Sequence, residues 1–168
     1  MNDGPGFGAS PSRSASGSPS HEQDASFTVE LATPLTPDAA LARVLDLRVH
    51  DRVIPFTRVR PAVSAEELRP GSVFVARTGI GPIAFDDPMM IEQLGAYGDA
   101  GGTGAVIVKQ GRALQGKVNL QITPDAAGSQ VHWHQDVRLP WLPGIVQPLA
   151  ARLLKLGYRR VLTRLLGG

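Results

Sequence analysis

Residues 130–166, QVHWHQDVRLPWLPGIVQPLAARLLKLGYRRVLTRLL, contain the change of hydrophobic period that decides the fold. Up to Leu139, apolar and polar side chains alternate, which is the pattern of a half-buried β-strand. After the turn at Pro140–Gly144, apolar residues recur at helical spacing from about Ile145 to Leu166. Pro148 fits because it falls in the first turn of that helix. The segment therefore predicts a last strand followed by a long C-terminal helix.

Upstream of this segment, short apolar strands alternate with turn signals. The predicted strands are Phe27–Leu31, Phe56–Arg60, Ser72–Thr78, Ile83–Leu94 with an irregularity at Pro88, Ala105–Ala113 and Lys117–Thr123. Thr36-Pro37-Asp38 predicts the start of a helix that ends near Leu47, and residues 48–54 predict a second short helix. Residues 95–104, GAYGDAGGTG, predict a flexible loop. Because the strands follow at short spacing, antiparallel hairpins are expected instead of βαβ units.

The composition predicts a disordered tail followed by one domain. Residues 1–25 are dominated by Gly, Ser, Pro and Ala, so they cannot bury enough apolar area to offset the entropy of ordering. Residues 26–168 form the predicted domain. No apolar run approaches the ~20 residues that span a bilayer, and the N-terminus does not have the pattern of a secretory signal. The expected location is the cytoplasm.

Cysteine and charge narrow the possible functions. The chain contains no cysteine, which excludes disulfides, thiolate metal sites and cysteine nucleophiles. Residues 1–136 carry 11 basic and 15 acidic side chains, whereas residues 137–168 carry six basic and no acidic ones. A basic end favours an anionic partner, or it simply complements a helix dipole. Aromatic residues make up 5% of the chain, so binding to nucleic acid is not expected.

The order of these elements resembles the START-like, polyketide-cyclase (SRPBCC) superfamily, which has the helix-grip fold. The resemblance extends over residues 26–166. It rests on Phe27–Leu31, Thr36–Asp38, Gly81–Met89 (GPIAFDDPM), Lys109–Arg112 (KQGR), and Val131–Trp133 running into Leu139–Pro143. It implies an α+β fold in which a curved antiparallel sheet of about seven strands grips a long C-terminal helix, with one or two short helices after the first strand. It also implies a cavity for an apolar or aromatic ligand between sheet and helix. The superfamily shares no universal catalytic residues, so none is assigned.

Strand alternation and helix periodicity predict the side chains that line this cavity. The predicted ligand-binding residues are Met89, Ile91, Ile107, Lys109, Val118, Leu120, Trp133, Gln135, Leu149, Leu153, Gly157 and Val161. An inward Lys109 would need a partner or an anionic ligand group, unless its ammonium reaches the rim. Gln135 could orient a carbonyl or hydroxyl of a ligand, or bond to a neighbouring side chain.

Two polar clusters are candidates for a metal site and for a catalytic carboxylate pair, and the sequence favours neither function. His132, His134 and Asp136 share one strand face, but Val131, Trp133 and Val137 on the other face indicate that the histidines point outward. No metal site and no cofactor are therefore predicted. Asp86 and Asp87 are neighbours on a strand, so they should face opposite sides instead of forming a dyad.

The C-terminal helix carries an apolar arc wider than a simple surface helix needs. Arg152, Lys155 and Arg159 fall in a stripe about 60° wide, and the apolar residues lie opposite. One part of the arc must face the sheet, and the excess could line the cavity or contact a partner. Arg160 and Arg164 interrupt the arc near its end, so they are expected at the cavity mouth or beyond the edge of the sheet, where they could bind an anionic headgroup.

Three functional hypotheses remain open. The leading one is binding of a hydrophobic or aromatic small molecule, including a lipid, without strong catalysis. The second is an aromatase/cyclase-type enzyme of the polyketide kind, for which Asp87 and Glu92 are the candidate acids or bases. The third is an adaptor for a membrane surface or a protein partner that uses the basic C-terminal helix. The oligomeric state is left open.

Overall fold

A computed structural model describes residues 25–80 and 82–167 of the chain. The strands are β1 (Ala25–Thr33), β2 (Thr57–Arg60), β3 (Val73–Ile80), β4 (Ile83–Tyr97), β5 (Gly102–Gln110), β6 (Gln115–Asp125) and β7 (Gly128–Val137). The helices are α1 (Pro37–Leu45), α2 (Leu47–Val53) and α3 (Gln147–Gly167), with 3₁₀ turns at Ala65–Glu67 and Gly144–Val146. Residues 1–24 of the predicted tail lie outside the described residues, whereas Ala25 belongs to β1.

The strands form one antiparallel sheet in the order β1-β7-β6-β5-β4-β3-β2. The helix α3 packs mainly against β1 and α1, and α1 covers β5, β6 and β7. This arrangement confirms the predicted α+β class, the sheet of seven strands, the two short helices after the first strand and the long C-terminal helix. The chain has the helix-grip fold.

Two local predictions in the middle of the sheet are wrong. The predicted loop 95–104 is shorter, because β4 continues to Tyr97 and β5 begins at Gly102. Gly98 and Gly101 have φ values of 66° and 75°, and this left-handed conformation lets glycine close the hairpin tightly. The irregularity in β4 occurs between Ile91 and Gln93, beyond the predicted position at Pro88.

Capping side chains define the two short helices. The Thr36 hydroxyl accepts a hydrogen bond from the Ala39 backbone N–H at 3.4 Å, as the sequence predicts for an N-cap. The Asp46 carboxylate caps α2 by accepting from the Arg48 backbone N–H at 3.1 Å. Asp46 therefore ends the first helix two residues earlier than the predicted boundary and begins the second.

A row of inward side chains crosses the sheet and forms the centre of the core. The register brings Phe27, Gln135, Val118, Ile107 and Ile91 into line on five successive strands. All five are buried. The next row holds Val29, Trp133, Leu120 and Ala105, which are buried as well. These rows place the functional candidates between the sheet and α3.

The orientation of α3 differs from the expectation for three predicted site residues. Leu149, Leu153 and Gly157 lie on the exposed side, away from the sheet. The inward side instead carries Ala151, Tyr158, Leu162, Leu165 and Leu166. None of the helices in the described part of the chain has the length and apolar character to cross a membrane.

A buried glutamine fixes this rotation. The Gln147 side-chain amide donates to the Leu139 carbonyl at 2.7 Å and to the Leu142 carbonyl at 3.1 Å. Its oxygen accepts from the Leu139 backbone N–H at 3.1 Å. These bonds tie the first turn of α3 to the segment that follows β7. Hydrophobic periodicity does not register such an anchor, which is why the inward orientation was predicted for the wrong leucines.

Candidate functional site

Eight of the predicted ligand-binding residues come together on the inner face of the sheet. Cross-strand pairing joins Met89 to Lys109, Ile91 to Ile107, Val118 to Gln135 and Leu120 to Trp133. All of these side chains are buried except that of Met89, which is partly buried and packs against the core. Val161 on α3 is also partly buried. The strand alternation therefore predicted the inner face of β4 to β7 correctly.

A buried ion pair lies on this inner face. The Lys109 Nζ is 2.5 Å from Asp87 Oδ2, and the two side chains are 2% and 8% exposed. The Met89 Sδ is 3.2 Å from the same ammonium. Asp87 precedes Met89 by two residues on β4, so it is the diagonal neighbour of Lys109 across the strand pair. Lys109 thus has an interior partner, one of the alternatives that the sequence left open, and its ammonium does not reach the rim.

Asp86 and Asp87 face opposite sides, as the sequence predicted. Asp86 points outward and pairs with Arg77 at 3.3 Å, with both side chains more than half exposed. The two aspartates therefore do not form a dyad. Asp87 instead becomes one member of a carboxylate–ammonium pair with Lys109.

Burial raises the pKa of the Asp87 carboxyl above its ordinary value, and the charge and hydrogen bond of Lys109 oppose this shift. Burial by itself lowers the pKa of the Lys109 ammonium, but interactions with Tyr158 and Asp87 outweigh it, so the pKa is raised. Lys109 therefore carries a proton at neutral pH, and Asp87 holds its proton more readily than an exposed aspartate.

An aromatic cluster adjoins this pair. The Tyr158 ring of α3 lies 5.3 Å from the Trp133 ring and 5.6 Å from the Phe27 ring, measured between centroids, and both contacts are tilted. The Trp133 Nε1 donates a hydrogen bond of 3.2 Å to the Gln135 Oε1. The cluster thus joins α3 to β1 and β7, and its Tyr158 also interacts with Lys109.

Two polar atoms in this interior have no hydrogen-bond partner among the described residues: Asp87 Oδ1 and Gln135 Nε2. Gln135 is completely buried, and Asp87 is nearly so. A buried polar atom without a partner costs free energy, about 1–3 kcal/mol. Asp87 Oδ1 can accept a hydrogen bond and Gln135 Nε2 can donate one. Each atom can therefore bind a complementary polar group, a donor at Asp87 and an acceptor at Gln135.

The other acidic and histidine candidates point away from the interior. Glu92 is partly exposed and pairs with Lys117 at 2.6 Å. His132 faces Glu30 at 3.3 Å, and His134 accepts from or donates to the Thr28 hydroxyl at 2.9 Å. The described residues contain no group of three or more potential metal ligands. The outward orientation predicted for the histidines is correct.

Sequence reasoning missed Phe27 and Tyr158 as members of the site and missed the pairing of Asp87 with Lys109. Tyr158 is the single aromatic residue of α3 and lies one helical heptad after the inward Ala151, which is a usable signal once that face is known. The pairing depends on the register of β4 against β5, and the sequence does not determine it.

Comparisons with known proteins define the fold. No protein-family model matches the chain, and no curated protein matches its sequence. Among solved structures, the di-domain ARO/CYC StfQ from the steffimycin biosynthetic pathway is 13% identical with a TM-score of 0.64. That match covers 87% of this chain and 50% of StfQ, so this chain spans about half of that protein.

Two further solved structures match along nearly their whole length. A START superfamily protein from Mycobacterium smegmatis is 18% identical with a TM-score of 0.55, covering 83% of this chain and 94% of that one. Ara h 8.0201 is 14% identical with a TM-score of 0.55, covering 85% of this chain and 98% of the other. At these identities the likeness shows the fold, and the chemistry has to be argued from this chain's own residues.

Proposed function

We propose that this chain binds a hydrophobic or aromatic small molecule between the sheet and α3. The observation that carries the proposal is the presence of two unsatisfied polar atoms, Asp87 Oδ1 and Gln135 Nε2, in a mainly apolar interior. Ligand sites typically combine an apolar lining with a few polar groups that fix orientation. The START superfamily protein and the ARO/CYC protein have the same fold, which is consistent with a ligand in this position.

The polar atoms define the chemistry of the ligand. Its hydroxyl would donate to Asp87 Oδ1, and its carbonyl would accept from Gln135 Nε2. Its apolar body would contact Ile107, Leu120 and Trp133. Because the Tyr158 ring lies against Trp133, a ligand that reaches Gln135 would displace this ring. The best candidates are thus aromatic or polycyclic compounds that carry hydroxyl and carbonyl groups.

Native mass spectrometry of the protein purified from its source is the most direct test. A co-purified small molecule should raise the measured mass above that of the chain, and it should be lost on denaturation. Extraction and accurate mass would then identify its class. A protein that is free of any bound molecule and binds no aromatic probe would contradict the proposal.

Two aromatic probes, one with and one without a hydroxyl group, test whether the buried polar atoms bind ligand. With Trp141 replaced by phenylalanine, Trp133 is the sole tryptophan, so its fluorescence can report ligands. We expect 2-naphthol to bind more tightly than naphthalene, because its hydroxyl can reach Asp87 Oδ1. Asp87→Leu with Lys109→Met should abolish this preference, while Asp86→Asn on the outer face should retain it. Equal affinities for the two probes in the parent protein would show that the polar atoms do not bind ligand.

The buried pair also favours a second candidate function, acid–base catalysis of the aromatase/cyclase kind. Two titratable groups, Asp87 and Lys109, face one another inside the molecule. The Asp87 carboxylate would remove a proton from a carbon beside a carbonyl group. The resulting carbanion would form a carbon–carbon bond to a second carbonyl carbon of the same substrate, and the Lys109 ammonium would protonate the new alkoxide.

This second function is tested with a linear poly-β-ketone thioester. Cyclised product should form faster with the wild-type protein than in buffer, and Asp87→Asn should abolish the acceleration. Asp86→Asn is the matched control and should be fully active. If turnover is absent or unaffected by Asp87→Asn while the aromatic probes still bind, the chain is a carrier and not an enzyme.

A further inference from the structure

The outer face of α3 is apolar in its first half. Leu149, Leu153 and Leu156 are 58%, 62% and 65% exposed, and Ile145 before the helix is 90% exposed. At 100° per residue, the three leucines lie within an arc of about 60°. A single exposed leucine is ordinary, but a continuous row on one helix face marks an interaction surface.

The same helix is strongly basic. Between Gln147 and Gly167 it carries five basic residues and no acidic one. Among the described residues, no carboxylate pairs with Arg152, Lys155, Arg159 or Arg160, and all four are exposed. Arg164 donates to the Val53 carbonyl at 3.3 Å. The positive charge on this side of the molecule is therefore not neutralised within the described part of the chain.

An open depression follows the apolar row. It has a volume of about 600 Å³ and is lined by Leu156, Gly157, Arg159, Arg160, Thr163 and Arg164. Gly157 leaves it open, because nothing lies within 4 Å of the position that a Cβ would occupy. The second half of the outer face thus combines three guanidinium groups with a hydroxyl around a shallow hollow. Guanidinium groups bind phosphate oxygens well, often in a bidentate manner.

We infer that the outer face of α3 docks on an anionic lipid bilayer. The leucine row would enter the boundary between headgroups and acyl chains, and the arginines would contact lipid phosphates at the same depth. Trp141, 66% exposed just before the helix, has its indole N–H bonded to the Ala113 carbonyl and leaves its ring free for the interface. This surface is separate from the proposed ligand site, which lies on the opposite face of the helix.

Charge complementarity favours a bilayer over a second copy of this chain. Pairing two α3 outer faces would bring ten basic residues together without a carboxylate from either helix. Nucleic acid would satisfy the charge, but it offers no apolar layer for the leucine row, and α3 presents no aromatic side chain on this face for base stacking. An anionic membrane offers acyl chains to the leucine row and phosphate groups to the basic residues of α3.

Vesicle flotation of the full-length protein tests this inference. At low salt, we expect the protein to float with vesicles of phosphatidylcholine and phosphatidylglycerol and to stay in solution with vesicles of phosphatidylcholine alone. Arg152→Glu with Arg160→Glu should weaken the binding by more than about tenfold, since two charges that attract anionic lipid become charges that repel it. Leu153→Gln with Leu156→Gln should weaken it as well.

Arg58→Glu with Arg112→Glu is the matched control, because it makes the same charge change on two exposed arginines away from α3. It should retain vesicle binding, as should Gln135→Leu in the proposed ligand site. Circular dichroism must show each variant folded. Three results would overturn the inference: no flotation at low salt, equal loss in the control, or a dimer in sedimentation that the leucine changes convert to a monomer.

Discussion

The two faces of α3 differ in what they contact. Its inner face is mainly apolar, with Ala151, Leu162 and Leu166 buried, and it covers a part of the sheet that holds a buried ammonium and a carboxyl with a raised pKa. Its outer face carries the basic residues of the helix and also an exposed row of Leu149, Leu153 and Leu156. A helix that only stabilises a core keeps most of its leucines inside. The exposed row is therefore the feature of the outer face that core packing does not explain.

The rotation of the helix leaves this leucine row exposed, and anchoring contacts set the rotation. Gln147 bonds to Leu139 in the segment after β7, and Tyr158 packs on Trp133 and Phe27. Turning α3 to bury Leu153 would break these contacts. The hydrophobic effect depends on area and has no direction, so a wide apolar arc is compatible with several rotations. Specific polar and aromatic contacts select one of them.

The largest expected effect concerns the interior. Lys109→Met removes the partner of Asp87 and leaves its carboxyl buried without a countercharge. We expect the free energy of unfolding to fall by about 3–5 kcal/mol, measured by urea denaturation at pH 7. Asp87→Leu with Lys109→Met removes both charges and should restore or exceed the wild-type stability.

Lys117→Met is the matched control for this change. Lys117 forms an ion pair with Glu92 at a similar distance, but both side chains are about 40% exposed. Its loss should cost at most about 1 kcal/mol. Equal losses for the two lysine variants would mean that burial does not distinguish the inner pair from the outer one.

Alternation along the strands predicted the inner face of the sheet, whereas the position of α3 was not predictable from the sequence. Val131, Trp133 and Gln135 alternate with outward histidines, and a strand has two faces, so the assignment had few alternatives. The helix has a continuous range of rotations. Its orientation depends on Gln147, whose partners are backbone groups of residues 139 and 142. Backbone partners leave no signal in sequence periodicity.

The buried ion pair of the candidate site could be predicted only in part from the sequence. The sequence indicates that Lys109, if it lies on an inward strand face, needs a partner. The sequence does not indicate that this partner is Asp87. That choice depends on the cross-strand register, in which Met89 opposes Lys109. The hairpin turn at Gly98–Gly101 and the irregularity after Ile91 set this register together.

The pH dependence of stability gives a second and smaller test of the interior. The folded state raises the pKa of Asp87 above its ordinary value of 3.8, so the folded state binds this proton more tightly than the unfolded state. Asp87 therefore stabilises the folded protein at pH values below its pKa in the unfolded state. This stabilisation is lost as the pH rises through its pKa in the folded state. Lys109 stays protonated throughout this range, because its pKa is raised above 10.5.

The measurement compares wild type with the Asp87→Leu, Lys109→Met variant in urea denaturation from pH 7 down towards the ordinary aspartate value of 3.8. We expect the wild-type stability, relative to the variant, to increase as the pH falls. Contributions of the histidines cancel because both proteins contain them. A relative decrease would show that Lys109 holds the carboxylate charged and lowers the Asp87 pKa.

Gly157→Ala tests the outer face of α3. Its expected effect on the free energy of unfolding is smaller than that of Lys109→Met and has the opposite sign. Glycine inside a helix costs up to about 1 kcal/mol relative to alanine, and nothing lies within 4 Å of the added Cβ. We expect the variant to be more stable by up to about 1 kcal/mol in thermal and urea unfolding. A destabilised variant would mean that Gly157 faces a packed surface, as the periodicity of the helix first indicated.

The smallest expected effect comes from Leu153→Ala, and its value lies in the contrast with Leu162→Ala on the same helix. Leu162 is 2% exposed and packs in the core, so its truncation should cost about 2–5 kcal/mol. Leu153 is 62% exposed, so its truncation removes little buried area and should change the free energy of unfolding by less than about 0.5 kcal/mol. Both changes replace leucine by alanine in a helix, so helix propensity contributes equally to the two results. Urea denaturation of the two variants therefore isolates the difference between the two faces. A large loss at Leu153 would place it in a packed environment, either against the sheet or against a second copy, and vesicle flotation combined with sedimentation would then decide which surface covers it.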